Sequence, residues 1–321
     1  MAVYTDVTDE DLAGFMAAYA TADVVSFTGI AEGVENSNFL VQTEDGDAYI
    51  LTLYEKRVNP ADLPYFLGLM EHLAAKGVTC PLPIKAKDGS ALRTLNGRPA
   101  ALFSFLKGLS PRRIATAHCS GVGAALAQLH RAGADYAAER ANALSVRAWR
   151  PLFAQSAAAA DSVAPGLAVE IGRELSEIEG AWPSGLPAGV IHADLFPDNV
   201  FFRGDAVSGV IDFYFACNDL YAYDLAILMN AWCFEPGCEF NVTKARCLLR
   251  SYDAVRPLAR AEVEALPLLA RGAALRFLLT RLYDWLNTPP GALVRPKDPR
   301  EYLAILRFHR GLSGPGAYGL G

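Results

Sequence analysis

The residues whose types and spacing invite chemistry lie in one stretch. His192, Asp194 and Asn199 stand in the order H-x-D-x-x-x-x-N, and Asp212 follows in a short apolar run over 209–213. Residues 190–191, 200–202 and 207–211 read as short β-segments, because each is β-branched or aromatic and bounded by turn residues. Asp194 then sits on a loop between strands, and Asp212 where the third run closes. Such a set suits phosphoryl transfer. One carboxylate orients a hydroxyl and accepts its proton, while an amide oxygen and a second carboxylate hold Mg²⁺ against the phosphates of ATP. Asp194 fits the first role, and Asn199 with Asp212 the second, since magnesium prefers hard oxygen ligands. His192 braces the loop. The plainer alternative is a pair of turns rich in Asp, Asn and Pro. The Asn that follows Asp194 and the I-D-F run weigh against it.

The elements that must position these residues come in two groups. Thr8-Asp9-Glu10-Asp11 signals a helix start, followed by Leu12, Phe15, Met16 and Tyr19 at helical spacing. Strands are expected at 24–27, 39–42 and 49–54, with a turn at Asp45-Gly46. The loop between the first two carries Gly29, Gly33, Asn36, Ser37 and Asn38. Glycines let backbone N–H groups approach phosphates, and the Asn and Ser side chains add donors. A helix over 62–75 follows, then strands that end in 99–106. From 107 onward the composition turns helical, with helices expected at 114–131, 146–160, 167–182, 221–232, 241–253, 260–286 and 299–310. The glycine-rich tail, 311–321, reads as loose. The fold class is therefore α+β. A small antiparallel β lobe with one main helix, residues 1–106, precedes a larger, mostly helical lobe, 107–321.

Composition closes off other classes. A 321-residue chain with 52% hydrophobic residues and 20% charged residues buries a full core and is not disordered. A net charge of −6 without a basic stripe argues against nucleic acid as a partner. No apolar run reaches the length of a membrane span, and the start is polar, unlike a signal peptide. The six cysteines form no C-x-x-C pair and read as reduced thiols of a cytoplasmic protein.

The chain resembles the aminoglycoside phosphotransferase and choline kinase superfamily, which has a bilobal, protein-kinase-like fold. The marks are the loop 29–38, the run L-F-S-F-L over 102–106 at the hinge, Leu129-His130, the stretch His192 to Asn199, Ile211-Asp212-Phe213 and Asp224-Leu225-Ala226. Within it, the stretches 35–39, 49–55, 62–73, 275–285 and 297–302 resemble the kinase-like homoserine kinases. That resemblance implies phosphorylation of L-homoserine by ATP, with Mg²⁺, in threonine biosynthesis, and adenine bonded to the backbone at Ser104 and Leu106. One departure stands out: kinases of this fold carry a lysine on the third strand. Here Thr52 takes its place, and Lys56 is four residues on, about 13 Å away. Near the place of the helical glutamate that would pair with it stands Phe66, with Asp62 and Glu71 about a turn away on either side.

A substrate such as homoserine needs a base or a cluster of N–H groups for its carboxylate and an acid for its ammonium. Arg276 is the candidate for the carboxylate, because guanidinium binds it bidentately, with a structural ion pair as the alternative. Arg276, Thr280, Tyr283 and Asn287 lie in a line beside the apolar stripe of their helix. Tyr214 and Asp219 complete the expected pocket, although Asp219 equally suits a turn. Arg281 reads as half of a structural ion pair, for instance with Asp284. His130 reads as a buried helix-end histidine, and Trp232 as packing. The rivals are choline, held by an aromatic cage drawn from Tyr214, Phe215, Tyr221, Tyr223, Trp232, Tyr283 and Trp285, then methylthioribose, an aminoglycoside, or nucleotide binding without catalysis.

Overall fold

In a computed structural model, residues 4–30, 36–55, 58–289 and 295–320 are described. The chain divides into two compact units: Met1–Gly108 with Ser208–Tyr214, and Leu109–Val207 with Phe215–Gly321. The first unit thus takes in a segment that the sequence reading had assigned to the C-terminal lobe.

The first unit opens with helix α1 (Asp9–Met16). Thr8 accepts from the Asp11 amide and Asp11 accepts from the Thr8 amide, the reciprocal cap that the sequence announces. Strands β1 (Val24–Gly29), β2 (Asn36–Thr43) and β3 (Ala48–Tyr54) follow, then helix α2 (Leu63–Ala75) and strands β4 (Pro83–Ile84), β5 (Arg93–Leu95) and β6 (Arg98–Ser104). The sheet runs in the order β1-β2-β3-β6-β4, with β5 also on β6, and every pairing is antiparallel. Because strand side chains alternate, the sheet has two distinct faces. Phe39, Val41, Leu51, Leu53 and Leu102 turn to one face and bury Leu12, Phe15, Met16 and Tyr19 around α1. Asn38, Thr52 and Tyr54 belong to the other, where Asn38 pairs with Thr52 in register.

The second unit begins with helix α3 (Thr116–Ala132), α4 (Val146–Ala154) and α5 (Leu167–Ala181). The single helix expected over 146–160 breaks at Ala154, and a 3-10 turn covers Ala157–Ser162. Strands β7 (Ala188–Ile191), β8 (Val200–Arg203), β9 (Ala206–Val210) and β10 (Cys217–Leu220) come next, and the division between units falls within β9. β10 is a strand the sequence did not announce, and it pairs antiparallel with β7. Helices α6 (Tyr221–Trp232), α7 (Val242–Val255), α8 (Arg260–Asn287) and α9 (Pro299–Arg310) complete the unit. α3 and α7 pack closely at Gly123, where a Cβ would stand 2.3 Å from the Leu248 carbonyl oxygen. The tail is not loose. A 3-10 turn at Pro315–Tyr318 buries the Tyr318 ring, whose hydroxyl bonds His309 Nδ1 at 2.9 Å. Among the described residues, no helix is long and apolar enough to cross a membrane.

Candidate active site

The loop that carries Asp194 leaves β7 at Ile191, inside the second unit. Ala193 has φ +63°, a conformation that costs a non-glycine residue roughly 1 kcal/mol or more. Something must hold it, and that is visible in the bonds of its backbone. Asp224, in the first turn of α6, accepts from the His192 amide at 2.8 Å and from the Ala193 amide at 2.9 Å. Arg276 donates to the Ala193 carbonyl at 2.8 Å, and Trp232 Nε1 donates to the Leu195 carbonyl at 2.8 Å. The Asn199 amide nitrogen donates to the Asp194 carbonyl at 2.8 Å. The Asp194 amide donates to His192 Nδ1 at 3.3 Å. His192 is fully buried and braces the loop, as its position suggests.

A chain of buried groups backs this loop. A carboxylate can only accept, so His130 Nε2 carries the proton and donates to Asp224 at 3.0 Å. Burial holds the His130 pKa below its ordinary value, which keeps the ring neutral. Nδ1 is then an acceptor, and the Tyr252 hydroxyl donates to it at 2.7 Å. Arg256 donates to that hydroxyl at 3.2 Å and to Glu262 at 3.0 Å. His130 is thus the interior helix-end histidine that the sequence suggests. Although buried, Asp224 titrates below the usual carboxylate range, because His130 and the loop amide bond its charged form.

The Asp194 side chain is 19% exposed. Burial pushes its pKa up, and the charges of Arg276, His192 and Lys297 oppose that rise. A carboxyl raised in this way is a better proton acceptor near neutral pH. Asn199 spends its amide nitrogen on the loop, so its amide oxygen is the atom that suits a hard cation. Asp212 belongs to the first unit. Its φ of +65° is a second left-handed non-glycine position, which Asp tolerates better than most residues.

In the first unit, the place of the usual lysine has a definite filling. The Thr52 hydroxyl donates to Asn38 Oδ1 at 2.8 Å and is 3% exposed. The Tyr54 and Tyr214 hydroxyls lie 3.3 Å apart, and the Tyr214 ring meets Tyr54 and Phe66 edge-on at 5.4 and 5.7 Å. Burial pushes the Tyr214 phenol up, and the charge of Asp212 adds to it. A hydroxyl-and-aromatic cluster therefore occupies the region where a lysine and a helical glutamate would form an ion pair. Ser37 lies on β2, and its hydroxyl donates to Glu55 at 2.8 Å. Asn36 accepts from the Glu55 amide at 3.4 Å. Gly29 ends β1 opposite Phe39, while Gly33 and Lys56 lie outside the described residues. At the expected hinge, the Ser104 amide donates to Leu82 and its hydroxyl accepts from the Leu82 amide, each at 2.9 Å. The adenine bond expected at Ser104 would then use its carbonyl. The Leu106 side chain packs where a Cβ on Gly209 would meet it at 2.7 Å.

The expected substrate residues lie as follows. Arg276 is 3% exposed and spends its guanidinium on the Ala193 carbonyl, with Asp194 at 3.8 Å and the Phe277 ring beneath at 4.0 Å. It holds the Ala193 carbonyl and is nearly closed to solvent. Asp219 lies on β10 opposite Gly189 and accepts from Asn142 at 2.7 Å and from the Leu220 amide at 2.8 Å. Tyr214 packs within the first unit, against Tyr54 and Phe66. Tyr283 lies two helical turns beyond Arg276 on α8, about 10 Å along the axis. Arg281 pairs with Glu301 at 2.5 Å, not with Asp284. From the sequence, Asp224 reads only as the start of a helix, and Trp232 as packing or part of an aromatic cage. Their function depends on which backbone groups they meet, and no local pattern reports that.

Comparison with known proteins gives this geometry its context. The model of a family described as phosphotransferase enzymes matches residues 26–258. A homoserine kinase of Rhodospirillum rubrum is 63% identical over 320 residues, covering 100% of this chain and 99% of that protein. One from Xanthobacter autotrophicus is 62% identical, with 100% and 99% covered. Among solved structures, an amicoumacin kinase superposes with a TM-score of 0.70 at 13% identity, covering 95% of this chain and 92% of that one. The last likeness speaks to the kinase-like fold alone.

Proposed function

This chain belongs to the phosphotransferase enzyme family, and we propose that it transfers the γ-phosphoryl group of ATP to the hydroxyl of L-homoserine, in the cytoplasm. The observation that carries the substrate is identity of 63% with a homoserine kinase along the whole chain. The observation that supports the chemistry is a rigid loop presenting a buried, elevated carboxylate.

Asp194 orients the substrate hydroxyl and takes its proton as the oxygen attacks the γ-phosphorus. The new O–P bond forms while the bond to the β,γ-bridging oxygen breaks, and ADP leaves. Asn199 and Asp212 are assigned to Mg²⁺, which neutralises phosphate charge when bound. His192, Asp224, Arg276 and Trp232 touch no reacting atom in this scheme. They hold the loop so that Asp194 needs no rearrangement before transfer. In the absence of a third-strand lysine, the phosphates rely on the amides of the loop that follows Gly29.

A choline cage finds little support. The Arg256 guanidinium already covers the Tyr221 ring at 4.5 Å, Tyr223 is buried against Trp182, and Trp232 is spent on Leu195. The test is ADP release with Mg²⁺-ATP and L-homoserine, choline, methylthioribose or kanamycin. Turnover is expected on homoserine, with a fall of about 10²- to 10⁴-fold in Asp194→Asn. Turnover confined to another alcohol would remove the substrate assignment and leave the family standing.

A further inference from the structure

A cation is one way to bind the carboxylate of an amino-acid substrate, and Arg276 is nearly closed to solvent and bonded to the Ala193 carbonyl. The other cations on α8 and α9 near the loop are also committed. Arg281 holds Glu301 at 2.5 Å and lies over the Tyr302 ring, and Arg300 grips Asp298 through two nitrogens, the shorter bond being 2.7 Å.

Lys297 differs. Its ammonium lies 5.3 Å from the centroid of the Phe196 ring and 3.7 Å from the Asp198 carboxylate, both on the stretch that begins with Asp194. The Lys297 side chain is 61% exposed and Asp198 68%, so this pair is weak and exchanges readily for another anion. Phe196 is fixed edge-on against Phe277 at 4.9 Å, which gives the ammonium a rigid aromatic seat. Asp298, next in the chain, caps α9 through the Arg300 amide and so anchors the backbone from which the lysine springs.

We propose that Lys297 binds the substrate's α-carboxylate and thereby sets the preference for an amino acid over an amino alcohol. The inference rests on the homoserine reading. Lys297 lies against the stretch that carries Asp194, through Asp198 and the Phe196 ring. In homoserine, three carbon atoms separate the reacting hydroxyl from the carboxylate. Asp198 then keeps the lysine in place until the substrate displaces it.

The test compares L-homoserine with 3-aminopropan-1-ol, which lacks only the carboxylate, in the full-length protein and in Lys297→Met and Lys297→Arg. Loss of one charge-assisted bond should raise KM for homoserine about 10- to 100-fold in Lys297→Met, with a much smaller change in kcat. The effect on 3-aminopropan-1-ol should be much smaller, so that discrimination between the two falls. Lys297→Arg should restore most of the affinity. A Lys297→Met variant that keeps its KM and its discrimination overturns the assignment while the homoserine reading stands. An effect on kcat alone also overturns it, because it would place the lysine's influence on Asp194 and not on the carboxylate. No turnover of homoserine by the unaltered protein removes the reading beneath it.

Discussion

Replacement of Asp224 by Ala tests whether the catalytic loop is held by a buried carboxylate. The side chain accepts three bonds, from the amides of His192 and Ala193 and from His130, and it is fully buried. Removing it strands three donors in the interior and releases the left-handed Ala193. Breaking a buried charged network of this kind costs about 3–5 kcal/mol. That is a large part of the roughly 5–15 kcal/mol that holds most proteins folded. At about 1.5 °C per kcal/mol for a chain of this length, the melting temperature should fall by roughly 4–8 °C. Activity measured below the melting transition should fall as well, through kcat, because Asp194 loses its alignment. Asp224→Asn is the informative control. Its amide nitrogen would face an N–H group where the carboxylate offered an oxygen, so Asn should restore little despite its matching shape. Thermal melts and steady-state rates of the two variants decide the matter. Melting within about 2 °C of the parent with unchanged kcat in the Ala variant, or full rescue by Asn, would refute the reasoning.

Two further predictions follow from charge. Arg276 lowers the Asp194 pKa against the effect of burial, so Arg276→Gln should move the acid limb of the kcat/KM profile to higher pH, and Arg276→Lys should return part of the shift. An unmoved limb would mean that Asp194 is not the group titrating. Glu170 is held at about 2, below its ordinary 4.5, chiefly by its bond to Arg307 and also by Arg310. Its carboxylate form is the stabilising one. The contribution is therefore complete above the unfolded value and fades as pH falls from about 4.5 toward 2. Glu170→Gln should cost about 1–2 kcal/mol near neutrality, allowing for solvent around the half-exposed Arg307, and urea midpoints should converge with the parent in acid. A gap that stays constant as the pH is lowered would contradict the pairing.

Much of the frame was legible in the chain. The Thr8 cap, the alternating strands over 48–54 and the helix over 299–310 are local patterns, set by one side chain and its near neighbours. The fold goes beyond them where distant segments meet. β10 is a strand because β7 lies beside it, and residues 217–220 carry little strand pattern of their own. The tail is ordered because the Tyr318 ring finds His309 and Phe240, which outweighs its glycines.

The same line divides the site. Asp194, Asn199 and Asp212 can be proposed from residue type and spacing, since a proton acceptor and donors for a hard cation fall within one short stretch. What the neighbouring side chains do was decided by tertiary structure. Arg276 reaches Ala193 across 83 residues, and Asp224 reaches His192 across 32. A guanidinium serves equally well on a ligand carboxylate or on a backbone carbonyl, and its type does not say which. The choice is made by whichever acceptor packing brings within bonding distance. Packing closed Arg276 onto the loop and left Lys297 the more open cation beside it.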